Sequence, residues 1–335
     1  MPINVKYSDG RQRIVYYFND LERDINSCYD LIHGDDYNEI IFIDCHSSYE
    51  NHIRNYQLAE LPPLPEKLEQ LICHGNLLTE LHPFSSCLKV LICYHNKLTE
   101  LPELPDSLKE LHCNNNKLTK LPELPVSLKV LYCSNNKLTK LPTLPESLVI
   151  LSCSDNKLTE LPELPVSLKW LYCVANQLTK IPELTFSLQV LTCSDNKLRE
   201  LPPLPKNLKK LICDNNLLFK LPFILPPYLK VLICSYNKLT EIPEIPETLK
   251  IQKIIKLADT LNDNDDIFLF SNPIFHFIEE YFDRNLTNYL KWKLNWEKKF
   301  VRKIENWFYE LRWNPKYDLC QRVVNQTYDD LNNSV

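Results

Sequence analysis

The chain has 335 residues, with 3 glycines, 24 prolines and 13 cysteines. So little glycine argues against phosphate-cradling loops, whose backbone must approach the ligand without side chains in the way. A formal net charge of -5 supplies no field to draw nucleic acid or an anionic membrane, and no stretch reaches the roughly 18 apolar residues that span a bilayer.

At the start of the chain, Met1 to Lys6 lacks the basic-then-apolar run of a secretory leader. Cysteine-rich chains without such a leader keep free thiols in a reducing compartment, so a cytoplasmic protein is expected. Residues 1–39 do not repeat. Val5 to Tyr7 and Ile14 to Phe18 read as two strands around a turn at Ser8-Asp9-Gly10, and Asn19-Asp20 opens a helix through Leu31. This unit is expected to be an N-terminal cap on the leucine-rich segment that follows, whose open end would otherwise expose leucine to water.

From Leu61 to Lys220 the sequence repeats every 20 residues. One unit opens at Leu101-Pro102-Glu103-Leu104-Pro105, continues through Leu108, Leu111, Cys113 and Asn116, and ends at Lys120; the next opens at Leu121-Pro122. A period of about 20 to 29 with L-x-x-L-x-L-x-x-N-x-L is the leucine-rich-repeat signature, here with cysteine in place of the third leucine. Asparagine recurs at 76, 96, 116, 136, 156, 176, 196, 216 and 237. Leu108, Leu111 and Cys113 fall on one side of a short strand, and stacked coils share the apolar core that one coil cannot close alone. Each asparagine is expected to turn inward and bond backbone groups left open where the chain leaves the strand. Two prolines three apart forbid a regular helix in the return, which should be extended or polyproline-like.

The same pattern reaches further at both ends. Ile40, Ile43 and Cys45 match Leu68, Leu71 and Cys73, with an eight-residue insertion around Ser48 to Tyr56. A one-residue insertion near Phe223-Ile224-Leu225 moves the last cysteine to Cys234. The solenoid is thus expected over residues 40–254, about ten coils marked by cysteines 45, 73, 93, 113, 133, 153, 173, 193, 213 and 234, with a partial coil at Leu249 to Ile254. Residues 255–335 form a different, aromatic-rich region. After an acidic linker at Asp259 to Asp266, helices are expected from Ser271-Asn272-Pro273 to Phe282, from Leu286 to Trp313, and from Asn314-Pro315 onward. Aromatic stripes at helical spacing most often pack, which makes this region a helical cap or a docking module.

The repeat resembles the short leucine-rich repeats of secreted bacterial effectors, with valine replaced by cysteine at the core position. The cysteine variant and the run Trp307 to Tyr317 resemble leucine-rich-repeat proteins of mimivirus-like giant viruses. The resemblance implies a horseshoe with a parallel concave sheet, an extended convex side and a protein partner. Some effectors of this kind carry a ubiquitin-ligase domain with a Cys-x-Asp nucleophile. Here Cys153-Ser154-Asp155 and Cys193-Ser194-Asp195 are repeat positions, Cys28-Tyr29-Asp30 lies in the cap, and Cys320 is followed by Gln321-Arg322, which breaks the motif.

Other cysteine chemistry fits no better. Adjacent strands about 4.8 Å apart hold in-register cysteines beyond the Cβ separation of roughly 3.8 Å that a disulfide needs. Zinc at Cys73, His74, Cys93, His95, His112 and Cys113 requires ligands to converge, yet the cysteines point inward while His74 and His112 take the other strand face. No catalytic residue, cofactor or metal is therefore expected. What remains is the sheet surface, unusually apolar for exposed positions, with Tyr94, Tyr132, Ile150, Trp170, Tyr172 and Val174 as candidate protein-binding residues. Lysines recurring at 97, 117, 137, 157, 197 and 238, and again at 89, 109, 129, 169, 209 and 230, read as solvated edges interleaved with glutamates 103, 123, 163, 183 and 244. The expected function is a non-catalytic protein-interaction scaffold without nucleic-acid or membrane partners; the alternative is the recognition arm of a ubiquitin-ligase-like effector or adaptor.

Overall fold

A computed structural model describes residues 2–16, 39–45, 58–61, 63–240 and 267–268. They fall into two compact units, residues 1–208 and 209–335.

The first unit begins with a hairpin. Strands β1 (Pro2–Tyr7) and β2 (Gln12–Tyr16) pair antiparallel, and β1 pairs antiparallel with β3 (Ile40–Asp44). The turn lies at Ser8 to Gly10 as the sequence predicts; Gly10 takes φ +88°, a conformation that costs glycine little, and its N–H donates to Tyr7 O at 3.0 Å. Both strands begin earlier than their hydrophobic patterns, because hairpin pairing continues through polar Asn4 and Gln12. The predicted helix from Asn19 to Leu31 lies outside the described residues.

Seven short parallel strands follow: β4 (Gln70–Ile72), β5 (Val90–Ile92), β6 (Glu110–His112), β7 (Val130–Tyr132), β8 (Ile150–Ser152), β9 (Trp170–Tyr172) and β10 (Val190–Thr192). Each pairs with the next in an unshifted register, Leu71 beside Leu91, Leu91 beside Leu111, and so on to Leu191. The central leucine of every strand is fully buried, as are Leu108, Cys113 and Leu118 of the coil around β6 and their counterparts in the other coils. Each fully buried leucine stabilises by about 2 kcal/mol relative to exposure, so the core is a continuous column that no coil could close alone.

The return contains neither helix nor strand, in keeping with its prolines, which supply no amide hydrogen. Its second proline closes a turn instead: Leu108 N–H donates to Pro105 O, Leu128 to Pro125 and Leu148 to Pro145, each at 3.0 Å. The first leucine of each return, such as Leu101, Leu121 and Leu141, drops back into the core.

Where the chain leaves the strand, one residue per coil takes a left-handed backbone. His95, Asn115, Asn135, Asp155, Ala175 and Asp195 have φ between 52° and 56°. Asparagine and aspartate tolerate this region, whereas histidine and alanine hold it only because the stack imposes it.

In the second unit β11 (Lys210–Ile212), β12 (Val231–Ile233) and β13 (Ile267–Phe268) run parallel. The inserted residue loops out at Phe223 and Ile224, both more than 70% exposed, so that Leu225, Leu229, Leu232 and Cys234 keep their core positions. Nothing in the sequence announces β13, since two residues are too few to show a period. The partial coil at Leu249 to Ile254 and the helices predicted from Ser271 onward lie outside the described residues.

Candidate functional site

Because strand residues alternate faces, burial of the central leucine turns the first and third residues of β4 to β9 outward. Tyr132, Ile150, Trp170 and Tyr172 all lie half-buried on this outer sheet face, and Tyr94 and Val174 lie half-buried two residues past the ends of β5 and β9. Register sets Ile150 beside Trp170, and places Ser152 between Tyr132 and Tyr172 on its two neighbouring strands. The two tyrosines thus stand roughly 10 Å apart along the ladder, on either side of a low serine floor. Ser134 and Ser152 are joined Oγ to Oγ at 2.8 Å, Ser154 N–H donates to Ser134 Oγ at 3.1 Å, and Val174 N–H donates to Ser154 Oγ at 3.1 Å.

Toward β4 the face is ringed. His74 stacks on Tyr94 at 4.2 Å with planes 9° apart, Tyr94 meets the edge of His95 at 5.4 Å, and His112 leans on Tyr132 at 4.8 Å. Toward β10 it closes: Thr192 and Ser194 are buried at 7% and 4% exposure, so the open strip of this unit runs from β4 to β9.

Burial, with a smaller contribution from Tyr132, raises the Tyr172 phenol above its ordinary range. Burial lowers the His112 imidazole, opposed by the Glu110 carboxylate 3.8 Å away. His112 Nε2 is buried without a hydrogen bond. In both groups partial burial disfavours the charged form.

The cysteines sit on the other side of the strands. None of the eleven described cysteines is in a disulfide; ten are buried in the core columns and Cys87 is exposed. Desolvation pushes the Cys113 and Cys153 thiols up to about 12 and raises Cys73, Cys93, Cys133 and Cys173 well above their ordinary range. A buried thiol this reluctant to ionise is no nucleophile. His74 and His112 lie across the strand from Cys73 and Cys113, and among the described residues no group of three His, Cys, Asp or Glu side chains is placed to hold a metal ion. Cys28 and Cys320 lie outside the described residues.

One exposed group escaped the sequence reading. Phe219, Phe223, Ile224 and Tyr228 project from the second unit around the inserted residue. The break in the 20-residue spacing was its signal.

A parallel sheet on one side of the coil, a leucine and asparagine ladder inside it and a proline-rich return define a leucine-rich-repeat solenoid. Residues 88–126 match the family described as Leucine Rich repeats (2 copies), and residues 127–148 match Leucine Rich Repeat. Among solved structures the chain is similar to YopM from Yersinia enterocolitica, with 36% identity, a TM-score of 0.53, and coverage of 64% of this chain and 49% of that one. It therefore spans about half the length of the YopM chain it matches. The functional domain of InlJ from Listeria monocytogenes, described as including a cysteine ladder, is 35% identical over 52% of this chain and 41% of that one, with a TM-score of 0.43. No curated protein matches the sequence.

Proposed function

We propose that the chain is a non-catalytic protein-interaction scaffold that binds a partner protein through the concave, outer face of its sheet. The observation that carries this reading is the half-buried strip of Tyr132, Ile150, Trp170 and Tyr172 on three consecutive strands held in register, with Val174 just past the last of them. Tryptophan and tyrosine presented on a preorganised surface lose little side-chain freedom on binding, and they dominate interfaces where alanine scans have been made. Tyr94, stacked on His74, extends the strip toward β4. In this reading residues 40–254 recognise the partner. The protein works in the cytoplasm, that of a host cell if the giant-virus resemblance holds.

The test begins with a partner recovered by the wild-type chain and confirmed by titration of the purified pair. Trp170→Ala and Tyr172→Ala should each weaken that complex by about 2 kcal/mol while leaving the circular dichroism spectrum unchanged. Undiminished affinity in the folded double variant would move the binding site off this face.

A further inference from the structure

Between residues 89 and 197 of the first unit charge is sorted by side of the coil; the flanking segments 63–68 and 201–208 carry Lys67 and Lys206. Lys89, Lys109, Lys129 and Lys169 each stand one residue before a strand, and Lys97, Lys117, Lys137, Lys157 and Lys197 stand five residues after one. They border the outer face on both sides, and all but half-buried Lys89 are exposed. The acids of the same segments are few: Glu110, Asp155 and Asp195, with Glu69 already taken by Lys89 at 2.7 Å. The returns are the reverse. Glu103, Asp106, Glu123, Glu146, Glu163 and Glu183 are exposed there, and the returns between 101 and 188 contain no lysine or arginine. Since the core lies between strand and return, these coils are basic around the sheet and acidic along the Leu-Pro return, with Lys120, Lys140 and Lys180 exposed at the junction ahead of it.

From this we infer that the partner of the outer face is an acidic protein segment bearing apolar side chains, its carboxylates meeting the lysine borders and its apolar groups meeting the strip between them. The inference rests on the scaffold reading above and adds the chemistry of what is bound. Complementary charge raises the rate of encounter and fixes register on a surface whose apolar contacts are themselves unspecific. The ammonium groups of Lys109, Lys129 and Lys169 make no ion pair among the described residues, so nothing there competes with an incoming carboxylate. Nucleic acid fits less well. The borders are lysine rather than the arginine that grips phosphate with a paired fork, and much of the strip is aliphatic, at Val90, Ile92, Val130, Ile150 and Val174.

The probe is a labelled random copolymer of glutamate and tyrosine, titrated into the full chain by fluorescence anisotropy at low and high salt. A lysine–tyrosine copolymer and an oligothymidine serve as comparisons. The acidic copolymer should bind, lose affinity as salt rises, and bind more tightly than either comparison. The triple variant Lys109→Glu, Lys129→Glu, Lys169→Glu should lose roughly tenfold or more in affinity. Lys120→Glu, Lys140→Glu, Lys180→Glu changes the net charge equally, at exposed sites just ahead of the returns, and should lose little. No binding of the acidic copolymer, equal losses in the two variants, or tighter binding of oligothymidine would each overturn the inference. The variant Trp170→Ala, Tyr172→Ala separates the two readings: loss with the lysine variant alone supports the borders and removes the aromatic anchors, and loss with the aromatic variant alone does the opposite.

Discussion

Among the described residues, His112 is one of three with a buried polar side-chain atom that lacks a hydrogen bond. It lies half-buried on β6, its ring against Tyr132 and its Nε2 without a hydrogen bond, and the nearest charge is the Glu110 carboxylate. Burial outweighs that carboxylate and holds the imidazole below its ordinary range. A histidine lowered in the folded state binds its proton more readily when unfolded. Its contribution to stability is therefore fully present above the unfolded value near 6.5 and is lost as pH falls from there through the lowered one. Melting wild type and His112→Gln at pH 7.5 and at pH 5 should show a smaller acid-induced drop in Tm for the variant. Equal drops would mean that other groups carry the acid sensitivity. The face this residue occupies was legible in the sequence, because period two assigns it. Its titration was not, since the shift depends on how deeply Tyr132 and the neighbouring coil bury it.

At the scale of the coil, the inward asparagine ties each turn of the solenoid to the one before. The Nδ2 group of Asn96 donates to Cys93 O of its own coil at 3.1 Å and to Cys73 O of the preceding coil at 2.9 Å, while its Oδ1 accepts from Leu78 N–H at 3.0 Å. The same set recurs at Asn116, Asn136, Asn156, Asn176 and Asn196. A second, weaker tie runs along the return side, where Ser107 Oγ donates to Leu88 O and Ser127 Oγ to Leu108 O, both at 2.6 Å. Asn96→Ala leaves Leu78 N–H unmet beside a buried core and takes one of two donors from Cys73 O and Cys93 O, which keep those of Asn76 and Asn116, and should cost about 2 kcal/mol. Ser107→Ala removes one half-exposed bond and should cost about 1 kcal/mol. Denaturant melts of the two variants check the order, and equal costs would remove the asparagine from its place as the main tie. Sequence periodicity foretold the asparagine's inward turn. It missed the serine ladder, because a serine in a proline-rich turn has a sufficient local reason to be there. The left-handed position was likewise visible only in part, through Gly75, Asn115, Asn135 and Asp155, and was hidden where Ala175 and His95 occupy it.

For the molecule as a whole, a stack of coils shields its interior one neighbour at a time, and thiol chemistry reports that shielding. Cys87 is exposed, whereas the ten column cysteines are buried in their units. Brief treatment of the native chain with a maleimide, read by peptide mass spectrometry, should label Cys87 and leave the column peptides unmodified; in denaturant all should react. Early labelling of Cys133 or Cys153 in the native chain would show that the stack opens locally. The charge pattern belongs to this scale too. Lysines and glutamates alternate along the chain, which reads as a mixed, solvated surface, yet between residues 101 and 188 the lysines cluster around the strands and the Leu-Pro returns carry only acids.

The sequence alone determined the repeat length, the ten cysteine-marked strands, the parallel sheet they imply and the core residues of every coil. Those follow from periodicity, and periodicity is a property of one chain read in order. Only the tertiary structure decided which outward residues stand side by side, because neighbours across the sheet are 20 residues apart and meet through register. It is register that sets a serine floor between Tyr132 and Tyr172 and stacks His74 on Tyr94.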